Sequence, residues 1–292
     1  MSDRLQTGFL ATDSQRRREG VDVIRRNDDR ADSTSDLLSV EEPLEIRLVS
    51  PDIDEMTLAI TMRTPGQDHE LALGFLFSEG IIHSLDQVSG IEHCRPPSPD
   101  KGFHNSLCVA LAKGTPFSPE QLSRHIYTSS SCGVCGKTSI ESVMNASVRE
   151  IPATLNLAGS QLTRLPSFLR QQQQEFAQTG GIHAAGLIES DGSLSRVRED
   201  VGRHNAVDKL IGSLLLENAL PLHQRGLMLS GRTGFELVQK AAIAGIELVA
   251  GIGPPSTLAR ELAEETGITL CGFVRDSGFN IYSHPHRIVV EA

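Results

Sequence analysis

The chain has 292 residues, 39% apolar and 22% charged, enough to bury the core of one large domain or two smaller ones. Its net charge of -10 counts against a nucleic-acid partner, because a phosphate backbone requires a basic face. No apolar run approaches the roughly 20 residues that span a bilayer, and the N-terminus lacks the apolar stretch of a secretion signal, so neither insertion nor export is expected.

Residues 1–40 mix Arg16-Arg17-Arg18 and Arg25-Arg26 with Asp28-Asp29 and several Ser and Thr, without periodicity. They are expected to be a disordered tail, since such a segment buries too little apolar surface to offset its ordering entropy. From Pro43 onward Leu44, Ile46 and Leu48 alternate with polar residues, as do Met56, Leu58, Ile60 and Met62. With Ser50-Pro51-Asp52 between them, they predict a β-hairpin. A helix follows over Asp68–Glu79, stopped by Gly80, and then a strand over Ser106–Leu111. Ser118-Pro119-Glu120-Gln121 reads as a capped helix start. These elements make a small α+β domain over residues 41–126.

Residues 127–292 read as an α/β domain. Strands are predicted at Ile182–Ile188, Gly226–Leu229, Leu248–Ile252 and Ile268–Val274, and helices at Ala206–Leu220, Phe235–Ala244 and Thr257–Glu265. That alternation implies a layered sheet with largely parallel neighbours. The run Gln171–Gln174 reads as an exposed helical face.

The chemistry concentrates in Ser129-Ser130-Ser131-Cys132-Gly133-Val134-Cys135-Gly136-Lys137. Two thiols three positions apart, among small residues and beside a lysine, suit three chemistries. Zinc needs four ligands, or three and a water, and here there is a single Cys-x-x-Cys. The zinc deaminase pattern also fails, for the chain has no H-x-E and Ser131 stands where that pattern has proline. A dithiol–disulfide pair would suit a lowered thiol pKa. A persulfide carrier requires an exposed thiolate, a nearby cation such as Lys137, and the backbone freedom that Gly133 and Gly136 offer. Cys94, Cys108 and Cys271 sit apart in apolar stretches and read as small buried hydrophobes. With an odd cysteine count, this argues for a reducing cytoplasm over a disulfide framework.

Three turns leave the ends of predicted strands. In Glu199-Asp200-Val201-Gly202-Arg203-His204-Asn205, Asn205 is a candidate helix cap, and Asp208 and Lys209 are candidates for a surface salt bridge. The sharper reading has Arg203 and His204 bind an anion at that helix N-terminus. Ser230-Gly231-Arg232-Thr233-Gly234 brings Arg232 to a strand–helix junction, and Gly251-Ile252-Gly253-Pro254-Pro255-Ser256 repeats the arrangement with Ser256 as cap. Such turns mark the ligand edge of an open α/β sheet. The last segment, Phe273-Val274-Arg275-Asp276-Ser277-Gly278, reads as a strand entering a tight turn, with Arg275 and Phe273 offering charge and a stacking face.

Several of these motifs, in order, resemble the formate dehydrogenase accessory sulfurtransferase family (FdhD/NarQ) from Pro43 to the end. The resemblance rests on Leu71-Ala72-Leu73-Gly74-Phe75-Leu76-Phe77-Ser78-Glu79-Gly80, Ser131-Cys132-Gly133-Val134-Cys135-Gly136, Gly180-Gly181-Ile182-His183, the 199–205 and 230–232 stretches, and Phe279-Asn280-Ile281-Tyr282. It implies a cytidine-deaminase-like C-terminal domain without the deaminase zinc, and a cytoplasmic homodimer. It also implies persulfide transfer from a cysteine desulfurase to the molybdenum cofactor in its bis-molybdopterin guanine dinucleotide form, with formate dehydrogenase as client. The persulfide then falls on Cys132, assisted by Cys135, and the guanine dinucleotide on Phe273 to Gly278. A chaperone that binds cofactor and client without using its thiols is the alternative.

Overall fold

The computed structural model describes residues 16–27, 30–51, 53–117 and 151–289. The expected helix start at Ser118, the expected domain boundary near 126, and Cys132 and Cys135 lie outside the described residues.

The 44–62 hairpin forms as β3 (Glu42–Ser50) and β4 (Ile53–Arg63), within a four-stranded sheet of order β4-β3-β6-β5 that adds β5 (Val88–His93) and β6 (Ser106–Leu111). Its register carries a correction. Ile46 pairs with Ala59 but Arg47 with Thr57, so Leu58 is an extra residue on β4. Beyond such a bulge every side chain changes face. Leu44, Ile46 and Leu48 are buried as expected, while Ile60 and Met62 end on the outer face, 59% and 47% exposed.

The α/β part is built on a six-stranded sheet of order β13-β12-β11-β10-β8-β9. Its strands are β8 (His183–Ile188), β9 (Leu194–Asp200), β10 (Gly226–Leu229), β11 (Leu248–Gly251), β12 (Thr269–Arg275) and β13 (Gly278–Ser283), and a separate short ladder pairs β7 (Leu157–Ala158) with β14 (Ile288–Val289). Only the β10–β11 and β11–β12 pairings are parallel; the other three are antiparallel, so the sheet is mixed where mostly parallel neighbours were expected. The reason is connectivity: β8–β9 and β12–β13 are hairpins, and a short hairpin turn can join only antiparallel strands.

Side chains alternate across this sheet. Ala185, Leu187, Leu227, Leu229 and Val249 face one core, shared with α4 (Arg203–Leu216), α5 (Phe235–Ile243) and α6 (Thr257–Thr266). Ala184, Met228, Leu248, Ala250 and Cys271 face a second, covered by Leu162, Leu165 and Leu169 of α2 (Gly159–Gln172). The first core also takes in β3, β6 and α1 (Asp68–Ser78), so the N-terminal unit and the α/β layers share one continuous interior. α4 lies at that junction and is buried over nearly its whole length.

Two further expectations about the chain are corrected. Residues 18–39 are not a disordered tail; β1 (Arg18–Asn27) and β2 (Arg30–Ser39) pair in an antiparallel hairpin. A two-stranded hairpin is marginal alone. This one is anchored through its base: Arg18 donates to both oxygens of Glu175, at 2.6 and 3.0 Å, and Ser39 and Thr179 share a 2.7 Å hydroxyl contact. The glutamine run is no continuous exposed helix, for the helix breaks at Gln173, which is buried, before α3 (Gln174–Thr179) begins.

Cys94 and Cys108 are not isolated hydrophobes but are joined in a disulfide. The β5–β6 register opposes Glu92 to Cys108 and brings Cys94, just past β5, diagonally across from it. This non-local pairing is invisible in the 14-residue spacing, and it removes the cysteine count as an argument for compartment. Cys271 does match its expectation, fully buried with a thiol that desolvation pushes up to about 12. Among the described residues no helix is long and apolar enough to cross a membrane.

Candidate functional site

β10, β11 and β12 run parallel, and β9, antiparallel to β8, which is antiparallel to β10, runs in the same direction. Their carboxyl ends therefore share one edge of the sheet, and the 201–203, 230–234, 251–256 and 273–278 turns all leave from it. Such an edge is where open α/β sheets take ligands.

Backbone hydrogen bonds knit the last three turns together. Gly253 donates to the Gly231 carbonyl, Thr233 to Pro254, Ser256 to Thr233 and Phe273 to Gly253, at 3.0–3.2 Å. Ser230 binds β8 reciprocally, donating its N–H to Ala184 and accepting the Ala184 N–H on its hydroxyl. The first turn is fixed by Asp200, whose carboxylate takes the N–H groups of Gly202 and Thr64 and pairs with buried Lys209 at 2.7 Å.

Two readings of this segment change. Asn205 does not cap its helix: Gly202 is the N-cap residue, and Asn205 donates to the Met62 carbonyl and Asp200, and accepts from Thr61. Asp208 and Lys209 form no surface bridge, because both are buried and each has its own partner, Lys240 and Asp200. A helix packed on both sides leaves them no exposed face. Ser256 does cap α6, accepting the Ala259 N–H.

The expected ligand residues separate into four groups. Arg203, half-buried at the first position of α4, and exposed Arg232 stand on the turns after β9 and β10, on either side of the start of β8. Phe273 is exposed with a left-handed backbone (φ 54°), a costly conformation for a bulky residue. Val274 is fully buried in the α2-side core, so its side chain is not available to a ligand. Arg275, Asp276 and Ser277 are exposed at the hairpin tip, where Gly278 takes φ 146° and Ser167 donates to Asp276 at 3.3 Å.

The residue that the motif spacing did not single out as a binder is His183. It opens β8 opposite Asp200, and its ring lies against Gly231. Burial lowers its pKa, and the charges of Arg203 and His204 lower it further, against Asp200. A signal was present in Gly180-Gly181-Ile182-His183, one of the stretches that carry the resemblance, but nothing local shows that this histidine meets the 230–232 turn. His204 is held by Glu236 at 2.9 Å.

Chemically, the edge offers two guanidinium groups, the free N–H groups at the start of α4, and an aromatic face, a set suited to a phosphate-bearing ligand with a base to stack. Among the described residues one group of three possible metal ligands comes together, Glu55, Cys94 and Cys108, and its two sulfurs are bonded to each other.

The FdhD/NarQ family model matches residues 39–289. A relative from Streptomyces avermitilis named Sulfur carrier protein FdhD is 45% identical over 273 residues, covering 92% of this chain and 95% of the relative. A relative of the same name from Mycolicibacterium paratuberculosis is 47% identical over 254 residues, covering 86% and 91%. The crystal structure of a proposed formate dehydrogenase accessory protein from Desulfotalea psychrophila aligns with a TM-score of 0.69 at 23% identity, over 93% of this chain and 99% of that one, a likeness of fold. The chain belongs to the FdhD/NarQ family.

Proposed function

We propose that this chain is a sulfurtransferase that takes a sulfane sulfur from a cysteine desulfurase onto Cys132 and delivers it to the molybdenum cofactor in its bis-molybdopterin guanine dinucleotide form, in preparation for formate dehydrogenase. The observation that carries the reading is the shared edge: four like-directed strands end together, with Arg232 and Phe273 on turns joined through the 251–256 turn by backbone hydrogen bonds and Arg203 at the end of β9. Two dispersed cations and a stacking face suit a cargo with several phosphates and a guanine better than a compact anion. The names of the relatives support sulfur as the group carried. A cytoplasmic homodimer belongs to the same reading.

The sulfur chemistry balances without an outside oxidant. The Cys132 thiolate attacks the terminal sulfur of the donor persulfide; that S–S bond breaks, the donor thiolate leaves, and Cys132 becomes the persulfide with no net redox change. Delivery as sulfide takes two electrons, which Cys135 supplies. Its thiolate attacks the Cys132 sulfur, hydrosulfide departs toward the cargo, and the pair becomes a disulfide that a thiol reductant restores.

Replacing Cys132 with Ala abolishes activation of formate dehydrogenase on this reading and leaves cofactor binding intact. Activation that survives in the variant eliminates the assignment and favours a chaperone.

A further inference from the structure

We propose that His183 is the general base of the delivery step, accepting the proton of the sulfur that arrives at the strand-end edge; the proposal rests on the sulfur-transfer reading above. In that step the S–H bond breaks, its electron pair stays on sulfur as the sulfur joins the acceptor, and the proton passes to an imidazole nitrogen. Nothing is oxidised or reduced in the proton transfer itself.

Geometry sets His183 apart from its neighbours. Its ring lies against Gly231 so closely that a Cβ there would stand 3.3 Å from ring atoms Cε1 and Nδ1. It is half-buried, and among the described residues its ring makes no hydrogen bond or ion pair, while its backbone pairs with β9. Its titratable neighbours His204 and Asp200 are occupied: His204 is held by Glu236, and Asp200 by Lys209 and the Gly202 N–H.

The surroundings keep the ring in its proton-accepting form. Burial disfavours the imidazolium, and Arg203 and His204 of α4 repel it; Asp200 on β9 opposes them but is itself neutralised by Lys209. Arg232, on the turn beside the ring, carries the same sign as Arg203. A neutral imidazole with one solvent-facing side can take a proton and release it to water.

The test uses the full-length protein loaded with labelled sulfur by a desulfurase and cysteine, then mixed in a single turnover with cofactor-loaded, unsulfurated formate dehydrogenase across about pH 5 to 8. Label from wild type should reach the dehydrogenase more slowly as pH falls through the His183 titration. His183→Gln should load normally but deliver roughly 100-fold more slowly, without that inflection. Added imidazole should restore delivery by His183→Ala, a rescue that a merely structural defect would not show. Delivery by His183→Gln at the wild-type rate, or an unaltered pH profile without imidazole rescue, overturns the proposal and leaves the carrier reading standing. A wild-type protein that never takes up label overturns the carrier reading itself.

Discussion

Gly74 and Gly212 bring the backbones of α1 and α4 into direct contact. A Cβ on Gly74 would lie 1.8 Å from the Asp208 carbonyl oxygen, and one on Gly212 1.8 Å from that of Glu70. Both clashes are with main chain, which no rotamer change relieves. Replacing either glycine with Ala should therefore force α1 from α4 and cost about 3 kcal/mol, the upper end of usual overpacking penalties. Denaturant unfolding measures this, and a variant as stable as wild type would show that the crossing is looser than described.

Buried charges bind the same helix to α5. Lys240 donates to both carboxylate oxygens of Asp208, at 2.8 and 3.0 Å, and Ser78 of α1 donates to one of them. Lys240→Met leaves the Asp208 carboxylate buried without its cation, at a cost of about 3–5 kcal/mol. The double variant Lys240→Met with Asp208→Leu should recover most of that loss, because removing both charges also removes their desolvation cost. Equal destabilisation in single and double variants would contradict this account.

Glu247 ties the 151–155 segment to the sheet. Its carboxylate accepts the backbone N–H groups of Thr154, Leu155 and Gln224, the Thr154 hydroxyl, and Arg287 Nε. Burial alone would raise its pKa, but the Thr154 hydroxyl and the backbone donors outweigh burial and hold it below the ordinary carboxylate value. A folded pKa below the unfolded one contributes stability that is present above the unfolded value and is lost as pH falls through the folded one. Glu247→Gln should lower stability at neutral pH by about 2 kcal/mol and flatten the acid side of the stability profile. Thermal unfolding across that pH range reads both effects, and an unchanged acid limb would assign the profile to other carboxylates.

What the sequence made legible follows from the range of the interactions involved. Strand and helix alternation from Ile182 onward was readable because burial on a sheet imposes a local period. The strand-end edge was readable in part, because the 230–234 and 251–256 turns follow the apolar runs Gly226–Leu229 and Leu248–Ile252, while the polar β9 that precedes the 201–203 turn shows no such run. The failures are non-local. The bulge at Leu58 reverses the faces of Ile60 and Met62, though their alternation with Met56 looked uniform. The 18–39 hairpin depends on Glu175 and Thr179, some 140 to 157 residues away. The Cys94–Cys108 bond depends on the pairing of two strands, and the place of His183 depends on an antiparallel neighbour that brings it against Gly231. The burial of the Val274 side chain was illegible for another reason: the irregularity at Phe273 breaks the strand alternation and puts Val274 in the same core as Cys271.

The sulfur-carrying role of Cys132 is tested most directly by intact-mass and peptide analysis after incubation with a cysteine desulfurase and cysteine. The account predicts a reductant-labile adduct of one sulfur atom, located on Cys132 and absent from Cys132→Ala. A protein that stays unmodified under conditions where the desulfurase is itself persulfidated, or one that carries the adduct on another cysteine, would contradict it.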